Sequence, residues 1–412
     1  MAFQIPPALK HRRFTLLWAG LMISVAGSQM QVWALFWHIR TLTDSPLAIS
    51  LVGLVRFVPV LVFSLVGGLV ADLYDRRKVL FITQTVLILV ALGLWALTAT
   101  GAIQLWHIYA LTAVQATASA FDLPARQALT PNLLPRRDLP SAFSMNSIAQ
   151  DTGAIVGPAL SGVVIASLGQ QYTYLFNALS FVAVVVALVL MGPVEQVVTE
   201  EARRRGIHLD AIREGIRFIG SRPIILSSMI LDFFATFFSS ANTLLPFVAR
   251  DVLHVDVIAY GWLSAAQSIG SVTAGLILSQ RVRLRRQGVL LLGAVGAFGA
   301  ATILFGLSRA FALTMVALIL VGASDAVSTI LRNTIRQLQT PDEMRGRMTS
   351  VNQIFFMGGP QLGEIEAGAV AEALGVPFAI FSGGIGCLLA AGFIAWRWPQ
   401  LRHYDNEEAA PV

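Results

Sequence analysis

Gly68-Leu69-Val70-Ala71-Asp72-Leu73-Tyr74-Asp75-Arg76-Arg77-Lys78 is an abrupt charged stop between two long apolar runs, Pro46 to Ala71 and Val79 to Ala99. Each run is long enough to cross a hydrocarbon core of roughly 30 Å as a helix. The stop between them therefore reads as a tight turn at a membrane surface. Its three consecutive cations favour the cytoplasmic side, because basic residues of short loops are retained there.

Composition extends the same conclusion to the whole chain. Its 412 residues are 56% hydrophobic and 13% charged, too little polar material to cover a water-soluble globule of that size. The net charge of +6 does not imply a nucleic-acid partner, because the cations lie in loops between apolar runs and form no basic stripe on a soluble face. The one cysteine, Cys387, excludes an intramolecular disulfide and a multi-cysteine metal site. Six scattered histidines form no metal-ligand pattern, and no Gly-x-x-x-x-Gly-Lys loop supports ATP-driven pumping. Neither an enzyme nor a cofactor is expected. Lys10, Arg12 and Arg13 precede an apolar run longer than a secretory h-region, so this run is a first membrane span with its N-terminus inside.

Apolar runs and their punctuation predict an all-α membrane protein of twelve spans, at about 14–37, 46–71, 79–99, 104–123, 142–168, 172–191, 223–248, 258–280, 288–307, 310–331, 347–373 and 376–396. An even count puts both termini on one side. With the N-terminus inside, 25 of the 29 basic residues fall in cytoplasmic segments, among them Arg203, Arg204, Arg205, Arg281, Arg283, Arg285, Arg332 and Arg336. A polytopic protein of the cell (plasma or inner) membrane with cytoplasmic termini follows. The arginine-rich connection divides the chain into a six-helix bundle at 1–192, a linker at 193–222 and a second bundle at 223–412. Ile212, Ile216 and Phe218-Ile219 recur at helical spacing within the linker, which predicts an amphipathic helix at the membrane surface.

The two halves repeat one another. Gly68-x-x-x-Asp72 answers to Gly275-x-x-x-Ser279, Asp122 to Asp325, and Gly157-Pro158 to Gly359-Pro360, at offsets of 207, 203 and 202 residues. Parallel six-helix repeats with a substrate site between them are a recognised transporter plan. On these residues the chain resembles the major facilitator superfamily, and the stretch from Gly68 to Lys78 is similar to that superfamily's signature loop between helices 2 and 3. Leu73 and Asp75 depart from the usual pattern, and the Asp75-Arg76-Arg77 version is similar to the enterobactin-exporter-like branch of the drug:proton antiporters. Further similarity lies in Phe121-Asp122-Leu123-Pro124-Ala125-Arg126, in Arg345-Gly346-Arg347 and in Leu245-Pro246-Phe247-Val248-Ala249.

The resemblance implies a secondary active exporter of a hydrophobic or amphipathic small molecule of the drug or siderophore class, with protons as coupling ion and a monomer sufficient. A facilitator or importer of a polar nutrient on the same fold stands as the alternative. Gly153, Gly157, Pro158 and Gly162 resemble the glycine-proline signature of the superfamily's exporters, with ordinary small-residue helix packing as the alternative reading. The arginine expected in the fourth span of many proton antiporters is missing, so coupling does not carry over with the fold.

Ionisable groups inside spans are costly, which makes each a functional candidate. Asp232 lies about nine residues into the seventh span, near the midplane, and is the leading candidate for binding a proton or cationic substrate. Gln29, Trp33, Gln115 and Asn242 join it as cavity-lining candidates, because the resemblance puts helices 1, 4, 7 and 10 around the cavity. Arg56 and Glu364 both lie roughly 15 Å from the outer ends of their spans. In the resembled fold, helices 2 and 11 face each other, so the two residues are expected to form a latch, with Glu366 as the alternative to Glu364. Gly68, Asp72, Arg76 and Arg77 with Asp122 and Arg126 are the expected inner latch, Asp122 and Arg126 having the four-residue spacing of a helical ion pair.

Overall fold

The computed structural model describes residues 6–194, 196, 209–280, 286–341 and 344–405. Helices are the only long regular elements among them. The chain divides into two compact units, one of residues 1–42 and 55–207, the other of residues 43–54 and 208–412.

The first unit holds α1 (Arg12–Leu42), most of α2 (Pro46–Leu73), α3 (Arg76–Ala99), α4 (Leu105–Leu129), α5 (Leu139–Ser167) and α6 (Gln171–Met191). The charged stop is the short link Tyr74-Asp75. Asp75 caps α3 by accepting from the Arg77 and Lys78 amides at 3.0 and 3.3 Å, which satisfies two donors that every helix start leaves open. Glycines allow close helix contacts in the unit. A Cβ at Gly157 would lie 2.6 Å from both Ala26 O and Gln29 Cβ of α1, so only glycine lets α5 sit there. Phe14, Leu17, Leu80, Leu129 and Leu188 form part of the buried core at one end.

The second unit holds α7 (Leu209–Ser221), α8 (Pro223–Ser239), α9 (Val257–Ser279), α10 (Gln287–Leu307), α11 (Phe311–Leu338), α12 (Arg345–Leu374) and α13 (Val376–Arg397), together with the first turns of α2. Gly359 repeats the role of Gly157. A side chain there would collide with Thr236 of α8, so each glycine-proline pair seats the fifth long helix of its unit on the first. Gly375, at φ 91°, is the single residue between α12 and α13, a conformation that glycine adopts without strain. Leu231, Leu291, Val295, Ile335 and Ile394 belong to the second core.

By length and composition, nine helical stretches among the described residues could cross a membrane. Helices α4, α9 and α12 are not among them, and α12 carries Arg345, Arg347, Glu364, Glu366 and Glu372. None of these five charged residues is buried: Arg345 and Glu372 are exposed, and Arg347, Glu364 and Glu366 are half-buried.

Two sequence expectations need correction. The seventh span is not one helix: α8 stops at Ser239, and Ser240-Ala241 interrupt it before the short turns Asn242–Leu244, Leu245–Phe247 and Val248–Val252. Arg332 and Arg336 are not loop cations, because α11 runs on to Leu338 and both side chains are 2% exposed. The amphipathic helix expected in the linker is α7, and its apolar side is docked on the unit: Ile219 is buried with Ile225, Met229, Met348 and Val351, and Glu214 meets Arg347 at 2.6 Å. Arg203, Arg204, Arg205, Arg281, Arg283 and Arg285 lie outside the described residues.

Candidate functional site: a polar pocket beside a buried charge cluster

Arg332 and Arg336 are one helical turn apart on α11 and reach the same carboxylate. Arg332 Nη2 lies 3.1 Å from Asp232 Oδ1, and Arg336 Nη2 lies 3.2 Å from Asp232 Oδ2. All three side chains are 2% exposed. Such a cluster survives burial only because charges and hydrogen bonds compensate one another.

The two arginines are held unequally. Arg336 donates to Ser228 Oγ at 3.1 Å, to Ser228 O at 2.9 Å and to Asn352 Oδ1 at 2.6 Å, tying α8, α11 and α12 together. Arg332 donates to Thr329 Oγ1 at 2.8 Å and lies 3.6 Å from Asp325 Oδ1, while its Nε has no hydrogen-bond partner. Asp232 Oδ1 is within ion-pair distance of Arg332 yet receives no aligned hydrogen bond. Arg332 is thus shared between two carboxylates and fully bonded to neither.

Beside this cluster the second unit encloses a cavity of about 220 Å³. Thr236 and Ser239 come from α8, Ser240 from the break that follows it, Gln267 and Ser271 from α9, Asp325 from α11 and Pro360 from α12. The interruption of the seventh span puts Asn242 in the same wall, where its Oδ1 accepts from Gln267 Nε2 at 2.9 Å. Asp325, with its side chain 43% exposed, is the carboxylate on the cavity surface, whereas Asp232 is enclosed by its arginines. Sequence reading singled out Asp232 and used Asp325 only as the repeat partner of Asp122. The available signal was the four-residue spacing of Arg332 and Arg336 downstream of Asp325 on one long helix.

In the first unit Gln115 accepts from Gln31 Nε2 at 2.8 Å, and Gln31 Oε1 accepts from Asn177 at 2.7 Å. Gln31 is the buried centre of this network, and it was missed in favour of Gln29, which is half-buried at the contact of α1 with α5. Trp33 packs edge-on against Phe36 at 5.7 Å. Pro158 and Gly162 are buried on α5, and Gly153 abuts Val25 and Ala26 of α1.

Asp122 is buried and pairs with Arg126, and its Oδ1 accepts from Thr83 Oγ1 at 2.9 Å and Gln84 Nε2 at 2.8 Å. Arg76 donates to Ala71 O and Ala128 O, both at 3.0 Å, and to Asn132 Oδ1 at 2.8 Å, while Arg77 donates to Leu188 O at 2.8 Å. The two cations therefore cap carbonyl-rich helix ends, a favourable place for positive charge. Asp72 is exposed, and a Cβ on Gly68 would meet nothing within 4 Å, in contrast to its neighbour Gly67, which abuts Ala120. Arg56 is exposed on α2, in the first unit. Glu364 is half-buried on α12, its Oε2 2.6 Å from where a Cβ on Gly53 would stand.

The family described as "Transmembrane secretion effector" (MFS_3) matches residues 5–412. The chain belongs to the major facilitator superfamily. Among its curated relatives, this transporter is 26% identical over 400 residues to the "Enterobactin exporter EntS" of Escherichia coli K12, covering 96% of this chain and 94% of that one. It is 27% identical over 358 residues to the "Uncharacterized MFS-type transporter YfiS" of Bacillus subtilis 168, covering 84% and 82%. Among solved structures, a bacterial homolog of the human lysosomal transporter Spinster matches with TM-score 0.73 and 13% identity over 99% and 100% of the two chains. A bacterial homologue of the iron transporter ferroportin matches with TM-score 0.67 and 16% identity over 94% and 98%. At such identities the structures show the superfamily fold alone. Two helical units, apolar spans and family membership together make this chain a membrane-embedded transporter.

Proposed function

We propose that this transporter exports a hydrophobic or amphipathic small molecule, of the drug or siderophore class, by proton antiport with alternating access. The observation that carries export is the 26% identity, across nearly the whole chain, to a protein named as an exporter of enterobactin. Proton coupling is supported by the cluster of Asp232, Asp325, Arg332 and Arg336, whose formal charges sum to zero, so that one added proton unbalances it. The membrane potential supplies about 2.3 kcal/mol per charge per 100 mV, enough for one or two protons to drive accumulation. Gly68, Asp72, Arg76, Arg77, Asp122, Arg126, Arg56 and Glu364 are assigned to the conformational machinery, and the monomer is the working unit. The arginine distribution supports cytoplasmic termini in the inner or plasma membrane.

The test is transport in proteoliposomes of the purified chain under an imposed pH gradient, with a fluorescent amphipathic dye as reporter. Dye movement against its gradient, coupled to proton movement in the opposite direction, is the expected result. Dye movement that only equilibrates, unchanged when the pH gradient is collapsed, would refute antiport and leave a facilitator.

A further inference from the structure

We infer that the 220 Å³ cavity of the second unit is a subsite for an organic ammonium group, with Asp325 as its counter-ion and Arg332 as the cation that the ligand displaces. This deepens the export reading by naming the charge of the cargo, a positively charged amphipath.

The chemistry of the wall is that of an ammonium site. It offers oxygen acceptors from Ser, Thr and Asn side chains and one carboxylate, while the arginines are turned toward Asp232. Ser239 also lines the cavity, with its hydroxyl against the Cys387 thiol. Cys387, which lies near Ser239, donates to Val295 O at 3.8 Å. The volume favours an organic cation over a bare metal ion, because even a water molecule occupies only about 30 Å³ in the liquid. Phe298, Val321 and Pro360 provide apolar surface for the carbon part.

Arg332 makes occupancy consequential. At 3.6 Å from Asp325 it makes the looser of its two carboxylate contacts there, and its hydrogen bond to Thr329 does not depend on Asp325. An ammonium that pairs with Asp325 releases Arg332 toward Asp232 Oδ1, the oxygen that has no aligned donor. The carboxylate of Asp232 is already fixed on its other oxygen by Arg336, whose bonds to Ser228 and Asn352 join three helices. Binding at the cavity thus tightens a clamp deeper in the same unit.

The experiment is equilibrium binding to the full chain in detergent, by calorimetry, with benzylammonium, benzyl alcohol and benzoate as probes of matched shape and different charge. Benzylammonium is expected to bind and the other two to bind at least tenfold more weakly. Asp325→Asn should weaken benzylammonium by roughly ten- to a hundredfold, the worth of a charged hydrogen bond. Arg332→Met should tighten it by roughly tenfold, because the competing cation is gone, whereas a purely structural arginine would weaken binding when removed. Equal affinity for the three probes, unchanged binding in Asp325→Asn, or weaker binding in Arg332→Met would each overturn the inference. If Asp325→Asn does not fold, the probe series and Arg332→Met decide it. A chain that binds benzylammonium but shows no proton-coupled transport refutes the antiport proposal and leaves this site standing. The reverse result removes the site and leaves antiport.

Discussion

Replacing Asp232 by asparagine changes one atom and leaves two buried guanidiniums facing a neutral group. In the native cluster two carboxylates balance two arginines; in the variant only Asp325 remains, at 3.6 Å from Arg332. Arg336 keeps its bonds to Ser228 and Asn352, and Arg332 keeps Thr329. Removing one member of a buried ion pair costs about 3–5 kcal/mol, and the surviving hydrogen bonds place this variant near the lower end. For a unit of about 200 residues, roughly 2–4 °C is lost per kcal/mol, so at about 3 kcal/mol the midpoint should fall by about 6–12 °C. Thermal unfolding in one detergent, followed by tryptophan fluorescence, measures it. The double variant Asp232→Asn with Arg332→Met restores neutrality and should recover about 1–3 kcal/mol relative to adding the single effects, since the two sites are in contact. A midpoint for Asp232→Asn within about 1 °C of the native value would refute charge compensation as what holds these helices. A strictly additive double variant would refute the coupling.

Gly157→Leu should abolish recovery of folded protein, because a Cβ there already meets Ala26 O at 2.6 Å, whereas Gly68→Ala should stay within about 0.5 kcal/mol of native stability; size-exclusion chromatography and thermal unfolding compare them. Asp122→Ala removes the partner of Arg126 and the acceptor of Thr83 and Gln84 together, and should cost about 1–3 kcal/mol in the same unfolding assay. Glu214→Gln breaks an ion pair whose members are 52% and 38% exposed, so its effect on the midpoint should correspond to no more than about 1 kcal/mol and vanish in high salt.

The membrane class and the division into helices were legible because hydropathy and helix length are properties of contiguous sequence. A run from Val79 to Ala99 is long enough wherever it lies, and helix α3 occupies Arg76–Ala99. The duplication was legible for the same reason: Gly157-Pro158 and Gly359-Pro360 announce themselves at a fixed offset, and in both units that glycine is where the fifth long helix meets the first. The Asp122 and Arg126 pair was legible because four residues make one helical turn.

The candidate site was legible only in part. Asp232 was conspicuous as an acid in an apolar run, but its surroundings belong to α11, about a hundred residues later in the chain. Arg332 and Arg336 looked like loop cations, because a count of charges cannot distinguish an arginine facing water from one facing a buried carboxylate. Asp325 looked ordinary for the complementary reason: nothing local says that its side chain opens onto a cavity formed by four other helices.

What the amino-acid order by itself determined, then, is a chain that must bury its backbone in helices across a bilayer, twice over. Which ionisable groups neutralise one another inside a unit, and which one is left facing a cavity, was decided only by tertiary packing. The physical reason is that hydrophobicity acts residue by residue, whereas the energy of a buried charge depends on the position of its partner to within about an ångström.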